Sequence, residues 1–187
     1  MNVLRYETKE GEFPFYTDKP IVFLAGPTVR GNQPHLTSWR FDAIAEFERQ
    51  GFDGTLIVPE FTDKYESDKY RYDIPEWEFA GLKTADCIMF WIPRTRELIG
   101  LTTNWEHGYW VARDRDKVVY GRPDDAYRMT YLDIMWVADA KDYSSLKPEI
   151  VIYDHLTDTV SASIKKATNR FLYKDTTQFN IKERIKD

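Results

Sequence analysis

Residues 87–92 read CIMFWI, apolar at every position. A strand with one face in water alternates apolar and polar side chains, whereas a strand buried on both faces has no reason to. Three further runs are near-continuously apolar rather than alternating: IVFLA at 21–25, TLIVP at 55–59 and KVVYG at 117–121. The segments between them carry helical signals. SWRFDAIAEFERQ (38–50) places Phe41, Ile44, Ala45 and Phe47 on one face, with Gly51 as a C-cap. IPEWEFAGLKTA (74–85) has proline in its first turn, where a missing N–H costs little, and NWEHGYWVARDRDK (104–117) ends in alternating charges. Strand–helix alternation of this kind predicts an α/β fold, a doubly wound parallel sheet with helices on both faces. Farther on, 126–140 reads as a helix, PEIVIYD (148–154) as a fifth strand and 158–172 as a closing helix, with a polar tail from Tyr173. No repeat, low-complexity segment or linker divides the chain, so residues 1–187 are expected to form one domain.

Composition narrows the function. An aromatic content of 16% argues against disorder, and 187 residues suffice to bury a real core. The net charge of −5 lacks the basic face that a nucleic-acid polymer requires, while a small anionic ligand needs only a local set of donors. Cys87 is the single cysteine; it excludes an intramolecular disulfide, fits a reducing compartment and reads as a buried thiol within CIMFWI. MNVLRYETKEGEF has no long apolar stretch, so no signal peptide is expected, and no run approaches the ~18 apolar residues of a membrane span. The expectation is a cytoplasmic protein without a membrane partner.

Ligands of open α/β sheets bind beyond the carboxyl ends of the strands, which singles out four loops: 26–37, 59–73, 92–105 and 121–126. In the first, Gly26-Pro27 permits a sharp turn, and Arg30, Gly31 and Asn32 supply a cation and flexibility; the pattern is neither GxxxxGK nor GxGxxG. The second, PEFTDKYESDKYRYD, is long, charged and rich in tyrosine, as in a lid or a solvated excursion. It ends at Asp73, whose spacing to Glu76 fits a helix N-cap or a carboxylate aimed into the cleft. Thr103 and Glu106 have the same capping spacing, so Glu106 is either a cap partner or a nucleophile. His107 has no partner at metal-ligand spacing, and His35, His107, His155 and Cys87 form no Ser-His-Asp or Cys-His pattern. No metal is expected, and a nucleophile would have to be a carboxylate. The fourth loop sets Arg122 and Arg128 around Asp124 and Asp125.

Taken in order, IVFLAGPT, SWRFDAI, LIVPEF, YDIPEWEFAGLKTADCIMFWIP, LTTNWEHGYW and KVVYGRPDDAYRMTYLD resemble the nucleoside 2-deoxyribosyltransferase family, and within it the nucleoside 2-deoxyribosyltransferase-like branch, over residues 20–137. The resemblance implies a flavodoxin-like sheet of five strands or so. It implies enzymes that cleave the N-glycosidic bond of 2′-deoxynucleosides and pass the sugar to another base, or that hydrolyse deoxynucleotides. Glu106 then corresponds to the family's nucleophile, with Gly108 after it; Asp73 corresponds to the base-contacting aspartate and is the second catalytic candidate, able to pass a proton to the base, and Gly26 and Pro27 border sugar and base. Tyr72 and Asn104 are further substrate contacts, and Arg30 or Arg122 would meet a 5′-phosphate. The transferases carry an Asp-Asp-Gly run ahead of the nucleophile; here GLTTN (100–104) stands in its place, with no carboxylate between Glu97 and Glu106, a replacement common in the like branch. A homo-oligomer is implied, because neighbouring subunits often complete such sites.

Cleaving a glycosidic bond develops oxocarbenium character on the sugar and negative charge on the base. A carboxylate beneath C1′ stabilises the first and traps it covalently, as in retaining glycosidases. Placed in the first turn of a helix, Glu106 would be held ionised by the dipole and free N–H groups. No cofactor is needed, because the substrate, a small nucleoside or nucleotide, carries the reactive bond. Tyr70, Tyr72, Trp91 and Trp105 are candidates for stacking on the base. The alternatives are a nucleotide-sensing module that keeps the fold without chemistry, and a hydrolase of the nicotinamide–ribose bond of NAD.

Overall fold

A computed structural model describes residues 1–8, 17–63, 73–142 and 150–184. Five strands run in one parallel sheet: β1 (Asn2–Arg5), β2 (Ile21–Ala25), β3 (Thr55–Val58), β4 (Cys87–Trp91) and β5 (Val118–Gly121), in the order β1-β3-β2-β4-β5. All four neighbouring pairs are parallel. The near-continuously apolar runs are the sheet's interior, and their alternate residues serve two cores. Ile88, Phe90 and Ile92 face one core with Phe23 and Tyr120; Cys87, Met89 and Trp91 face the other with Val22, Leu24 and Leu56. Each fully buried side chain of this kind contributes ~1.5–3 kcal/mol, so both faces have a claim on their cover.

The cover is helical on both sides, as a flavodoxin-like α/β fold requires. Helices α2 (Asp73–Thr84), α3 (Leu101–Asp114) and α4 (Thr130–Asp142) close the first core with Trp77, Leu82, Trp110, Val111, Leu132 and Trp136. Helices α1 (Trp39–Arg49) and α5 (Leu156–Arg184) close the second with Trp39, Ala43, Phe47, Val160 and Ala167. Ser38 caps α1 by accepting a hydrogen bond from the Arg40 N–H at 3.2 Å, and Gly51, at φ 71°, ends it in the left-handed conformation that glycine adopts freely. The inward face of α1 is Trp39, Arg40, Ala43 and Phe47, with Ile44 partly buried; Phe41 and Ala45, expected on that face, are exposed. Tryptophan at the start of the helix displaces the apolar stripe by a fraction of a turn.

Three further expectations are corrected. The amino terminus supplies an edge strand, β1, that no apolar run announces: Arg5 ends it and is buried because its guanidinium donates to the Glu60 carbonyl at 2.7 Å. The segment expected as a fifth strand, 148–154, is reduced among the described residues to a single bridge between Tyr153 and Gly121. Tyr153 N–H donates to the Tyr120 carbonyl and its own carbonyl accepts from Arg122 N–H. Pairing stops there because α5 begins three residues later, with Thr159 so close that a β-carbon on Gly121 would stand 2.3 Å from its hydroxyl. The third concerns the polar stretch from Tyr173, which is no separate tail: α5 continues through it to Arg184. Among the described residues no helix is long and apolar enough to cross a membrane.

Candidate functional site

The chain leaves β2 toward β3 on one side, then crosses to β4 on the other, so the loops after β2 and β4 part over the sheet's carboxyl edge. Such a switch point is where open α/β sheets hold ligands. Gly26 has φ 152°, and a β-carbon there would lie 2.2 Å from the Trp91 carbonyl, so the turn after β2 hugs the end of β4. Gly100, at φ 61°, ends the loop after β4 with equal closeness: a β-carbon would meet that of Pro27 at 2.7 Å. Gln33 donates to the Glu97 carbonyl, and His35 pairs with the Glu97 carboxylate at 2.6 Å, joining the same two loops farther out. The fourth loop is tied in by Tyr127 N–H donating to the Arg94 carbonyl.

Glu106 faces this junction from α3. The helix starts at Leu101, with Gly100 as an N-cap lacking any side-chain hydrogen bond, so Thr103 is a buried residue within it and no cap. Glu106 therefore stands in the second turn, and the expected ionisation by helix-terminal N–H groups does not apply. Its environment does the opposite: burial first, then the negative charge of Glu78, push its carboxyl up to about 7, with Arg40 pulling back.

Glu78 comes from α2. Burial pushes its carboxyl up to about 7 as well, with Arg40 and then Arg30 pulling back. The cation common to both is Arg40, on α1 and fully buried. Its guanidinium donates to the carbonyls of Leu24, Pro27 and Gly26 at 3.1, 3.2 and 2.9 Å and lies 3.6 Å from the buried Glu60. Glu60 also accepts from the Ser38 hydroxyl. Two carboxyls raised to about 7 thus lie within electrostatic reach of a buried arginine–glutamate pair.

The sequence missed Glu78, Arg40 and Glu60, although two of them left a signal. Ile74, Glu78 and Leu82 are four residues apart on one helix, as are the stripe positions Trp39, Ala43 and Phe47 that Arg40 adjoins. A charge set into an apolar stripe is costly unless it is paired, and so marks a site. Of the expected site residues, Gly26 and Pro27 form the turn at the cleft, and Arg30 comes close enough to act on Glu78. Asn104 accepts from the buried Arg94 at the start of α3. Gly108 has open space where a β-carbon would be. Asp73 is the first residue of α2, its side chain outside the described part, and Tyr70 and Tyr72 lie outside the described residues.

Arg122 is committed elsewhere. It grips the Asp133 carboxylate at 2.9–3.2 Å, beside the Tyr120 hydroxyl donating to that same group at 2.7 Å. Trp91 is core and Trp105 is 62% exposed, stacked on Tyr109 with ring centroids 5.2 Å apart. His107 is buried among Phe90, Tyr120 and Trp136, and burial, with Arg115, lowers its pKa to about 4. Neutral and enclosed by rings, it is packing for the helix that carries Glu106.

Residues 19–124, more than half of the chain, match the family model described as nucleoside 2-deoxyribosyltransferase like. No curated protein matches the chain.

Proposed function

The chain belongs to the nucleoside 2-deoxyribosyltransferase-like family, and on that premise we propose that it breaks the N-glycosidic bond of a nucleoside or nucleotide, with Glu106 as nucleophile and Glu78 as the acid. The observation that carries the reading is that burial raises both carboxyls to about 7 within reach of the same buried cation, Arg40, with the Glu78 charge raising Glu106 further. Two close carboxyls with raised pKa values titrate as a pair, so near neutrality one is ionised and one protonated. That is the state a retaining glycosidic reaction starts from.

A Glu106 carboxylate oxygen attacks C1′ as the C1′–N bond breaks; the bonding electrons pass to the base nitrogen, and the Glu78 carboxyl gives it a proton. The product is a glycosyl ester on Glu106 and a free base. Water or a second base then attacks C1′, its proton passes to the Glu78 carboxylate, and Glu106 is released ionised. The Gly26–Pro27 turn, kept close by a residue without a β-carbon, offers the sugar a wall, and Arg30 offers a 5′-phosphate a cation. Asp73, opening the same helix as Glu78, takes the edge of the base, and Tyr72 is proposed as a further substrate contact. Asn104 and Gly108 are kept as further contacts from the family resemblance; two residues either side of Glu106, they share the opposite face of α3, where Gly108 leaves open space. The protein works as a homo-oligomer; Leu101, Trp105, Tyr131, Ile134 and Met135 are exposed on α3 and α4, a large apolar surface beside the cleft.

The test is a chromatographic screen for free base from deoxynucleosides, deoxynucleotides, ribonucleosides and NAD, with and without an acceptor base, beside Glu106→Ala. Release or exchange that disappears in the variant supports the reading and names the substrate class. Binding without release by the wild type, from every substrate, would make this a sensing module.

A further inference from the structure

Arg94 follows β4 and is only 5% exposed, yet among the described residues no carboxylate pairs with it. Its guanidinium has one hydrogen-bond partner: Nη2 donates to Asn104 Oδ1 at 2.5 Å, while Nε is buried with none. A buried cation without a counter-charge is costly, and a neutral side chain would hold Asn104 without that cost. Asp133, the carboxylate that α4 presents to the end of β5, is already taken. It accepts from Arg122 at 2.9 Å and from the Tyr120 hydroxyl at 2.7 Å.

Two more guanidiniums stand at the same corner of the sheet. The Arg94 carbonyl accepts from Tyr127 N–H at 2.8 Å, which joins the loop after β5 to the loop after β4. Arg96 and Arg128 both lie over the Tyr127 ring, each 5.1 Å from its centroid. Both are exposed, and among the described residues neither pairs with a carboxylate. Arg128 has φ 53°, the one positive value at a non-glycine position among the described residues. A side chain as large as arginine seldom adopts that conformation, and such strain collects at ligand clamps. Helix α3 begins beside this corner: no side chain caps it at Gly100, and Asn104 lies in its first turn. An uncapped helix start favours an anion.

We propose that Arg94, Arg96 and Arg128, on the two loops joined through Tyr127, form with the start of α3 a binding site for a phosphate group, separate from the Glu106 cleft. The separation follows from the helix. Asn104 precedes Glu106 by two residues, so the face of α3 that meets Arg94 is turned away from the one that carries the carboxyl. Phosphate suits the donors because a guanidinium offers its oxygens paired, charge-assisted N–H bonds. An occupant supplies the counter-charge that Arg94 lacks and ties the loops after β4 and β5 to α3. The site does not depend on the glycosidic reading.

The test is calorimetric titration of the full chain with inorganic phosphate, beside melting curves with and without it. Saturable binding and a raised melting temperature are expected. Arg96→Gln with Arg128→Gln, both at the surface, should weaken binding roughly 10–100-fold, the loss of charge-assisted hydrogen bonds. Arg94→Gln should do the same, and Arg94→Lys, which keeps the charge but loses the fork, should fall between. Arg128→Gly relieves the backbone, so it should melt higher than wild type without phosphate while binding phosphate more weakly. Glu106→Gln should bind as the wild type does. A wild type that binds no phosphate overturns the proposal, as does a folded Arg96→Gln, Arg128→Gln protein with undiminished affinity. Loss of binding in Glu106→Gln also overturns it, since the ion would then sit in the cleft. Ribose 5-phosphate, titrated in parallel, tells the sources apart: tighter binding of the ester assigns the site to a phosphorylated metabolite, and tighter binding of the inorganic ion to free phosphate.

Discussion

At the scale of single residues, Glu78 and Glu106 carry opposite demands for stability and function. Both have folded-state pKa values near 7, above the ordinary carboxylate value of 4.5. The folded protein therefore binds more protons than the unfolded chain between about pH 4.5 and 7, and stability from these groups is lost as pH rises through that window. Glu106→Gln should melt at the wild-type temperature near pH 4.5 and higher near pH 7.5, by ~2–4 °C for each kcal/mol relieved. Equal melting temperatures at both pH values would show that the carboxyl is not strained. Glu78→Gln should slow base release by ~10²–10⁴-fold, as loss of a general acid does. It also removes the negative charge that raises Glu106, so the acid limb of its residual activity should move to lower pH; a limb moving upward would rule out the pairing. His107 has the reverse sign: with its pKa lowered from 6.5 to about 4, it costs stability as pH falls through that interval.

Elements meet at two glycines whose environments differ sharply. Gly100 precedes α3 in the left-handed region with Pro27 against it, so Gly100→Ala adds backbone strain and a 2.7 Å contact at once. The expected loss is ~1–3 kcal/mol, read from the urea midpoint, with base release falling further as the turn after β2 is pushed from α3. Gly108 lies inside α3 with nothing near its missing β-carbon, so Gly108→Ala should stabilise by ~0.5–1 kcal/mol. If Gly108→Ala raises the urea midpoint while lowering base release, the open space there belongs to the ligand. Unchanged release would assign that space to solvent.

At the scale of the molecule, half of the large apolar side chains left exposed among the described residues lie on α3, α4 and the loop between β4 and α3: Ile99, Leu101, Trp105, Tyr131, Ile134 and Met135. In sedimentation equilibrium the wild type is expected above its monomer mass of 22.2 kDa, and Trp105→Glu with Ile134→Glu at that mass. A wild type that sediments as a monomer would remove the oligomer from the proposal.

The order of strands and helices was legible because burial on both faces leaves a mark that needs no partner. CIMFWI is apolar at every position and its three companions are nearly so, and each holds a strand. The sharp Gly26–Pro27 turn was legible through local pattern, whereas the capping spacing of Thr103 and Glu106 misplaced the start of α3. What sequence could not reveal depends on neighbours distant in the chain. NVLR becomes a strand only because β3 presents an edge and Glu60 a carbonyl for Arg5, and PEIVIYD fails to become one because α5 begins against Gly121. Arg40, Glu60, Glu78 and Glu106 come from four separate segments, and their pKa values are set by burial and by each other's charge. Hydrophobic pattern is written along the chain and decides which segments are buried. Electrostatics acts across space, so the charge state of this site existed only once the sheet had brought its carboxyl ends together.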